Sequence, residues 1–463
     1  MRSLSEYQGF STAGMKPFMF LASVLGLCLF IPSSSPHASP DQRPVLEAGE
    51  PVQLEMSTQQ SFGFELLLVP GGTYLAEIGQ GGFDVQVDLT VPGGETVRFD
   101  SPLFRDETEL IYLDHAEAGK YHLDISTNIH SGAIARPTVS LEKLASPQPL
   151  LQLISDASAA HASKDRGGWR KSLDLFEQCV ATARTADETR YLARCLYSAA
   201  VLDYWWTSDW NRGIEFATEA AVTYRQSGEQ GLAAGASTLK GAIILEKTWE
   251  IEKTPGEAIP PQARRLYDQA LALFHAARDT QSALGNRFEK ANNTNYIGLL
   301  HFSMGDYDTA AEYYLEAAAE YRELDEWYAE HIPLSNLAII DFNRGYLVRA
   351  TESLNRLLEV LPPENSESRA SSYDNLGASQ LALGQLDEAL KSYSLALSIH
   401  EENKSTTGRG RSLSGLGFTY QAIGDTELAL DYLHSLPEEE WKSAESWEII
   451  STYVSDFRSD VVE

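Results

Sequence analysis

The sequence predicts a multidomain protein in which an N-terminal antiparallel β-sandwich precedes an all-α superhelical solenoid. Between residues 51 and 144, apolar and polar residues alternate over short runs that turn residues separate. Beyond Pro147 the apolar residues recur at helical spacing, and one pattern then repeats about every 40 residues. At 463 residues the chain is also longer than one hydrophobic core usually organises.

Residues 1–38 are expected to form a signal peptide. Lys16 precedes an apolar run from Pro17 to Ile31, and a stretch rich in Ser, Pro and Ala follows it. This order is typical of secretory signals, and the run is shorter than the ~20 residues of a membrane span. We expect cleavage after Ala38, with an uncleaved anchor as the alternative. The predicted location is therefore outside the bacterial cytoplasm, periplasmic or secreted.

The charge of the chain restricts its partners. The sequence has 36 basic and 66 acidic residues, a formal net charge of −30, which repels nucleic acid. No segment after the signal has the ~18 consecutive apolar residues of a membrane helix, so no integral span is expected in the mature chain. A basic or neutral protein or peptide is the expected partner, and the oligomeric state is left open.

Two cysteines, Cys179 and Cys195, follow the signal segment. In an exported protein an even pair can close a disulfide. The preferred interpretation is instead that both are small buried residues of helices, with the disulfide as the alternative.

Residues 45–145 contain eight short alternating runs, which suggests an antiparallel sandwich. The runs are PVQLEM, FGFELLLV, TYLAEIG, FDVQVDLTV, TVRFD, ELIYLD, KYHLDIS and TVSLEKL. With the glycine pairs between them, their order resembles the bacterial pre-peptidase C-terminal type of β-domain. Four acids of this region (Asp84, Asp88, Asp100 and Asp114) are interpreted as strand and turn residues, because no compact loop joins them into a calcium site.

Residues 150–436 contain the helical repeats. Small residues recur at one position (Gly298, Ala338, Gly377, Gly417), glycines at a second (Gly305, Gly345, Gly384, Gly424) and alanines at a third (Ala310, Ala350, Ala389, Ala429). The glycines of the second set are expected to end the first helix of each pair. The pattern resembles the tetratricopeptide repeat, so the resemblance implies a tetratricopeptide-type superhelical solenoid. Three weaker upstream copies give about seven repeats, with a proline-rich insertion at 253–261.

Residues 437–463 carry apolar residues at helical spacing and are expected to form a C-terminal capping helix and tail. The alternative is that the chain stops short of a further domain. The order of signal, β-domain and repeats resembles the N-terminal portion of bacterial CHAT-domain proteins, whose peptidase domain is absent from this sequence.

The inner face of the repeats is the predicted binding surface for a peptide or protein. Asn336 and Asn375 lie 39 residues apart at one repeat position. Their amides are expected either to bind a peptide backbone or to bond within their own helix pair. Only Arg411 supplies a cation here, which disfavours a clamp for a terminal carboxylate. The predicted groove residues are Asn292, Asn295, Phe302, Asn336, Ile339, Phe342, Asn375, Arg411 and Phe418.

A cluster of aromatic residues gives a second candidate contact. Trp205 and Trp206 are possible partner-binding residues, whereas Tyr204 and Trp210 fall on positions that are expected to face the core.

No catalytic or cofactor-binding motif occurs in the sequence, so no enzyme activity, no metal and no cofactor are predicted. The leading hypothesis is an exported protein-protein interaction scaffold. The alternative is the sensor or regulatory part of a CHAT-type protease system whose catalytic domain is missing or lies on another chain.

Overall fold

The computed structural model describes residues 43–436, except 50, 58–59, 81–83, 104–106, 128–133, 187, 252–258 and 362–364. The predicted signal peptide, the predicted C-terminal capping helix and most of the predicted insertion lie outside the described residues and stay predictions. The described residues fall into two compact units, which we call the first unit (43–326) and the second unit (327–436).

The first unit begins with two packed β-sheets, as the alternating runs predict. One sheet has the strand order β1-β3-β8-β5-β6 and the other has the order β2-β9-β4-β7. The strands are β1 (Val45–Leu46), β2 (Val52–Gln53), β3 (Ser61–Leu66), β4 (Thr73–Gly79), β5 (Val85–Thr90), β6 (Thr96–Phe99), β7 (Glu109–Leu113), β8 (Tyr121–Thr127) and β9 (Thr138–Leu144). Each of the eight predicted runs overlaps one of the strands β2 to β9, and β3 and β8 extend one residue beyond their runs. The short β1 was not predicted, and it pairs with β3 in parallel, so the sandwich is not wholly antiparallel.

The rest of the described chain is helical, which confirms the predicted solenoid class. In the first unit the helices are α1 (Pro149–His161), α2 (Arg166–Ala186), α3 (Thr189–Leu202), α4 (Trp210–Gln226), α5 (Gln230–Trp249), α6 (Pro261–Ala283), α7 (Arg287–Ser303) and α8 (Tyr307–Glu323). In the second unit they are α9 (Trp327–Asn343), α10 (Leu347–Val360), α11 (Ser366–Ala382), α12 (Leu386–Glu402), α13 (Thr406–Ile423) and α14 (Thr426–His434). Odd-numbered helices are the first helices of pairs, and even-numbered helices are the second.

The turns within the helix pairs follow the predicted glycine pattern. Gly384 between α11 and α12 has φ 74°, and Gly424 between α13 and α14 has φ 95°. A residue without a Cβ adopts this left-handed conformation at low cost and so ends the first helix. In the pair α3 and α4 the sequence has no glycine at this point, and Ser208 adopts the left-handed conformation after a π-helical turn at Asp203–Thr207.

The sandwich and the first helices share one hydrophobic core. Leu75 and Leu110 of the β2-β9-β4-β7 sheet belong to the same buried cluster as Ile154 of α1 and Phe176 of α2. The backbone N–H of Tyr112 donates to Ser155 Oγ of α1 at 3.1 Å. The β-sheet therefore covers the first helix pair, and residues 145–150 are not a free linker between separate domains.

Cys179 of α2 and Cys195 of α3 are joined in a disulfide within this core. Their Cα atoms are 6.0 Å apart, and both side chains are buried. Both residues do lie in helices, as expected, but the preferred interpretation of two unlinked thiols is wrong. The disulfide arises because adjacent antiparallel helices bring residues 16 positions apart in sequence face to face.

Candidate functional site

The first helices of the second unit carry the predicted groove residues at corresponding positions. The reference residues Ala338, Gly377 and Gly417 each lie eleven residues beyond the first residue of α9, α11 and α13. The predicted groove side chains near these reference residues are partly exposed to solvent. Asn336, Ile339 and Phe342 of α9, Asn375 of α11 and Phe418 of α13 are half-buried, and Arg411 of α13 is exposed.

The two asparagines at the same repeat position have no protein partner. Within the part of the chain that the structure describes, neither the Asn336 nor the Asn375 side chain takes part in a hydrogen bond, within its own helix pair or outside it. Each amide carries two donors and an acceptor. The bonding within a helix pair that the sequence left open is therefore not observed, and both amides remain available to a ligand.

Beneath Arg411 lies a buried polar network that connects α11, α12 and α13. Asp374 accepts hydrogen bonds from Ser412 Oγ at 2.6 Å and from the His400 ring at 3.1 Å. The Arg411 guanidinium is 3.9 Å from the same carboxylate. Because Asp374 engages Arg411, the single predicted groove cation is already paired.

Although this network contains Ser, His and Asp, its geometry is structural. In a hydrolase triad the histidine lies between the serine and the aspartate. Here both Ser412 and His400 bond the carboxylate, and all three side chains are buried. Buried polar groups of this kind fix how helices pack when they are satisfied. The sequence gives no local signal for the network, because Asp374 and His400 are 26 residues apart.

In the first unit, the predicted groove residues lie on α7. Asn292 donates to Glu289 at 3.3 Å, and Phe302 packs against Tyr307 with ring centroids 5.4 Å apart. Asn295 is buried, and its Oδ1 has no hydrogen-bond partner among the described residues. Asn295 is thus less accessible than the prediction implies, but its carbonyl oxygen is unsatisfied.

Glu246 of α5 is a partly buried acid of the first unit that was not predicted as a site residue. Tyr204, which follows α3 in sequence, is buried, and its hydroxyl has no hydrogen-bond partner among the described residues. Burial raises the pKa of Glu246 to about 7. A signal was present in the sequence, because Glu246 directly follows the apolar run Ala242–Leu245.

The tryptophan cluster differs in part from its prediction. Trp206 is exposed and stacks on Trp169 of α2, with ring centroids 3.2 Å apart, whereas Trp205 is half-buried beside Tyr204. Tyr204 is buried, as expected. Trp210 is only half-buried, and its indole N–H donates to Glu250 at 2.6 Å. Trp210 also lies beside the buried Tyr204, with ring centroids 6.3 Å apart, so it faces the core only in part.

Comparison with known proteins agrees with this geometry. Residues 297–323 and 368–434 match sequence profiles described as tetratricopeptide repeat. These segments are tetratricopeptide repeats. The matches do not include residues 45–145, so the resemblance of that region to pre-peptidase C-terminal domains stays a prediction, as does the resemblance to CHAT-domain proteins. No curated protein sequence matches the chain.

Solved structures resemble this chain at low sequence identity, and the first of those given next reaches a TM-score of 0.50. A signal-transduction ATPase with a tetratricopeptide repeat sensor from Pyrococcus horikoshii is 14% identical, with a TM-score of 0.50 over 67% of this chain and 44% of that one. BtubC from P. vanneervenii is 19% identical, with a TM-score of 0.41 over 49% and 89% of the two chains. A Rap protein complexed with competence and sporulation factor is 16% identical, with a TM-score of 0.41 over 65% and 77%.

No helix among the described residues combines the length and apolarity that a bilayer crossing requires. The described residues also contain no group of three or more His, Cys, Asp or Glu side chains placed to hold a metal ion.

Proposed function

We propose that this chain is an exported scaffold that binds a protein or peptide partner along the inner face of its tetratricopeptide repeats. The observation that carries the proposal is the pair of unpartnered amides, Asn336 and Asn375, at one position of successive first helices. Each can donate to and accept from the backbone of an extended peptide. Because Asn336 and Asn375 are 39 residues apart, each of two neighbouring repeats has one of these amides at the same position.

Apolar contacts beside the amides support a peptide ligand. Ile339 and Phe342 of α9 and Phe418 of α13 are half-buried rather than fully packed into the helix pairs. Binding sites commonly combine such apolar surface with a few polar groups that fix orientation. Export is supported by the signal-like N-terminus and by the disulfide between Cys179 and Cys195, since disulfides persist mainly in oxidising compartments.

The test is an affinity capture from bacterial envelope extract followed by binding measurements with the captured partner. The groove variant carries Asn336→Ala, Phe342→Ala, Asn375→Ala and Phe418→Ala. A matched control changes exposed apolar residues on the second helices of the same unit, Val348→Ala and Leu395→Ala. Thermal unfolding of each variant checks that it is folded.

Under the proposal, one partner is recovered with the wild type and the control, and is lost with a folded groove variant. Asn336→Ala and Asn375→Ala alone should each weaken binding by about fivefold to tenfold, the effect of one or two lost hydrogen bonds. Equal recovery by the groove variant and the control would reject the inner face as the binding surface.

A further inference from the structure

Trp206 forms an exposed pair of stacked indoles with Trp169 near the N-terminal end of α2. The two rings are nearly parallel, at 16°, and their centroids are 3.2 Å apart. This contact covers one face of the Trp206 ring, yet 46% of the residue stays exposed. Tryptophan is enriched among the residues that dominate binding energies. The exposed indole is therefore a candidate contact for a partner.

The turn that carries Trp206 is held in place by buried polar contacts. Trp206 lies in the π-helical turn Asp203–Thr207. Asp203 has no exposed side-chain surface, and it accepts hydrogen bonds from Thr207 Oγ1 and from Arg212 Nε, each at 2.7 Å. Single π-helical turns occur frequently at functional sites. Because this turn is already ordered, binding through Trp206 costs little conformational entropy.

Two arginines beside Trp169 have no counter-ion. Arg166 and Arg170 lie one helical turn apart on α2, and both are exposed. Among the described residues, neither guanidinium group forms an ion pair or a hydrogen bond. The adjacent Asp165 accepts a hydrogen bond from a backbone N–H instead, at 2.8 Å. The start of α2 thus carries two uncompensated positive charges in a chain whose formal net charge is −30.

A carboxylate of a partner complements these two guanidinium groups. Arginine binds a carboxylate through two parallel N–H donors, and an apolar side chain can cover the neighbouring indole. The net charge of −30 repels an extended polyanion, such as nucleic acid or an anionic membrane, more than a short segment with one or two acids. The surface therefore fits a short acidic segment of a protein better than it fits a polyanion.

We propose that Trp169, Trp206, Arg166 and Arg170 form a second interaction surface, which binds an acidic segment of a partner protein. The arginines hold a carboxylate of that segment, and the open face of Trp206 packs against an aromatic or aliphatic side chain next to it. The surface does not include Asn336 or any other residue of the inner face. The inference therefore does not rest on the proposed function.

The test selects a displayed library of random 12-residue peptides against the purified full chain. The selected peptides are then bound to the double variant Arg166→Gln with Arg170→Gln, and to a matched control, Arg190→Gln with Arg225→Gln. The control removes the same charge from two other exposed arginines of the first unit that form no ion pair. Thermal unfolding of each protein checks that it is folded.

Dissociation constants are then measured for the peptides that the first double variant fails to bind. Each peptide is synthesised as selected and with every Asp or Glu changed to its amide, Asn or Gln. Trp206→Ala is measured with the same peptides. Because the amide peptides leave the protein unaltered, they give an answer even where a variant is unstable.

We expect these peptides to share an Asp or Glu close to an aromatic or aliphatic residue. Changing both Arg166 and Arg170 should weaken binding about fivefold to twentyfold, as expected for two exposed ion pairs, and the amide peptides should show a similar loss. Trp206→Ala should weaken binding about tenfold or more, the effect of losing a binding hot spot. The control variant should bind like the wild type.

Three results with the peptides would overturn the proposal. They are selection of no peptides with a preferred acid, equal loss with the first double variant and the control, and unchanged binding by a folded Trp206→Ala variant. Sedimentation with phosphatidylglycerol vesicles is measured in parallel, beside phosphatidylcholine vesicles. Binding to the anionic vesicles that the first double variant loses would assign the surface to a membrane, which would also overturn the proposal.

Discussion

The ring of Tyr393 on α12 occupies the space that a side chain on Gly377 of α11 would need. A Cβ built on Gly377 would lie 2.9 Å from Cδ2 of that ring. The same relationship joins Gly298 to Tyr314, at 2.9 Å, and Gly417 to Leu433, at 2.8 Å. The small residue at the repeat position is therefore required by the bulky side chain of the paired helix.

Gly377→Ala should destabilise the second unit by about 1–3 kcal/mol, because the buried Tyr393 ring has to move. The control is Gly231→Ala in α5, where the nearest atom is 3.4 Å from the added Cβ. That change should be neutral or stabilise by up to about 1 kcal/mol, the usual helical preference for alanine. Urea unfolding followed by circular dichroism measures both. A Gly377→Ala variant as stable as the wild type would contradict the packing described here.

Arg212→Met should cost about 3 kcal/mol of stability, because it leaves Asp203 buried without its cation. Asp203 has no exposed side-chain surface, and Arg212 Nε donates to its Oδ2 at 2.7 Å. Arg184→Met is the matched control, since Arg184 also forms two hydrogen bonds to one carboxylate, that of Glu219. Both of those groups are exposed, so the loss should stay below about 1 kcal/mol. Chemical denaturation measures both free energies of unfolding. Similar losses for Arg212→Met and Arg184→Met would show that the burial of Asp203 does not determine the cost of losing its cation.

Glu109 should make the stability of the first unit fall as pH rises from 4.5 to 7. Its side chain is fully buried, and burial raises its pKa from 4.5 to about 7, although Arg194 opposes this rise. Because the folded state holds this proton more tightly than the unfolded state, folding is favoured below pH 4.5 and loses that contribution through pH 7. The contribution is about 3 kcal/mol, since each pKa unit corresponds to about 1.4 kcal/mol.

Glu109→Gln has no titratable group at this site and should remove that part of the pH dependence. Its Oε1 can still accept from the Ser101 N–H, which lies 3.0 Å from the present carboxylate. Urea midpoints measured between pH 4.5 and 8 for the two proteins test the prediction. If the urea midpoints of the two proteins changed with pH in the same way, Glu109 would not be the cause of this pH dependence.

The Cys179–Cys195 disulfide should be present in the isolated protein and should stabilise it by about 2–4 kcal/mol. Titration of the denatured, unreduced full chain should find one thiol, that of Cys28, of the three cysteines in the sequence. The double variant Cys179→Ser and Cys195→Ser should unfold at lower temperature than the wild type, and Cys28→Ser should not. Two free thiols in the mature protein purified from the bacterial envelope, which lacks Cys28 after the predicted cleavage, would contradict the disulfide.

Much of the proposed binding surface followed from the repeat pattern. The spacing of Gly298, Ala338, Gly377 and Gly417 identified the first helices, and helical geometry then placed Asn336, Ile339 and Asn375 on one face. Those side chains are half-buried, in agreement with that face.

The sequence by itself determined the order of strands and helices, since hydrophobic periodicity and turn glycines act over a few residues. Only the tertiary structure decided which distant groups meet. It paired Cys179 with Cys195, brought His400 and Ser412 to Asp374, and joined the β-sheet to α1 in one core. Such contacts depend on the angle and register at which helices pack, and these are set by many side chains together rather than by the spacing of any one motif.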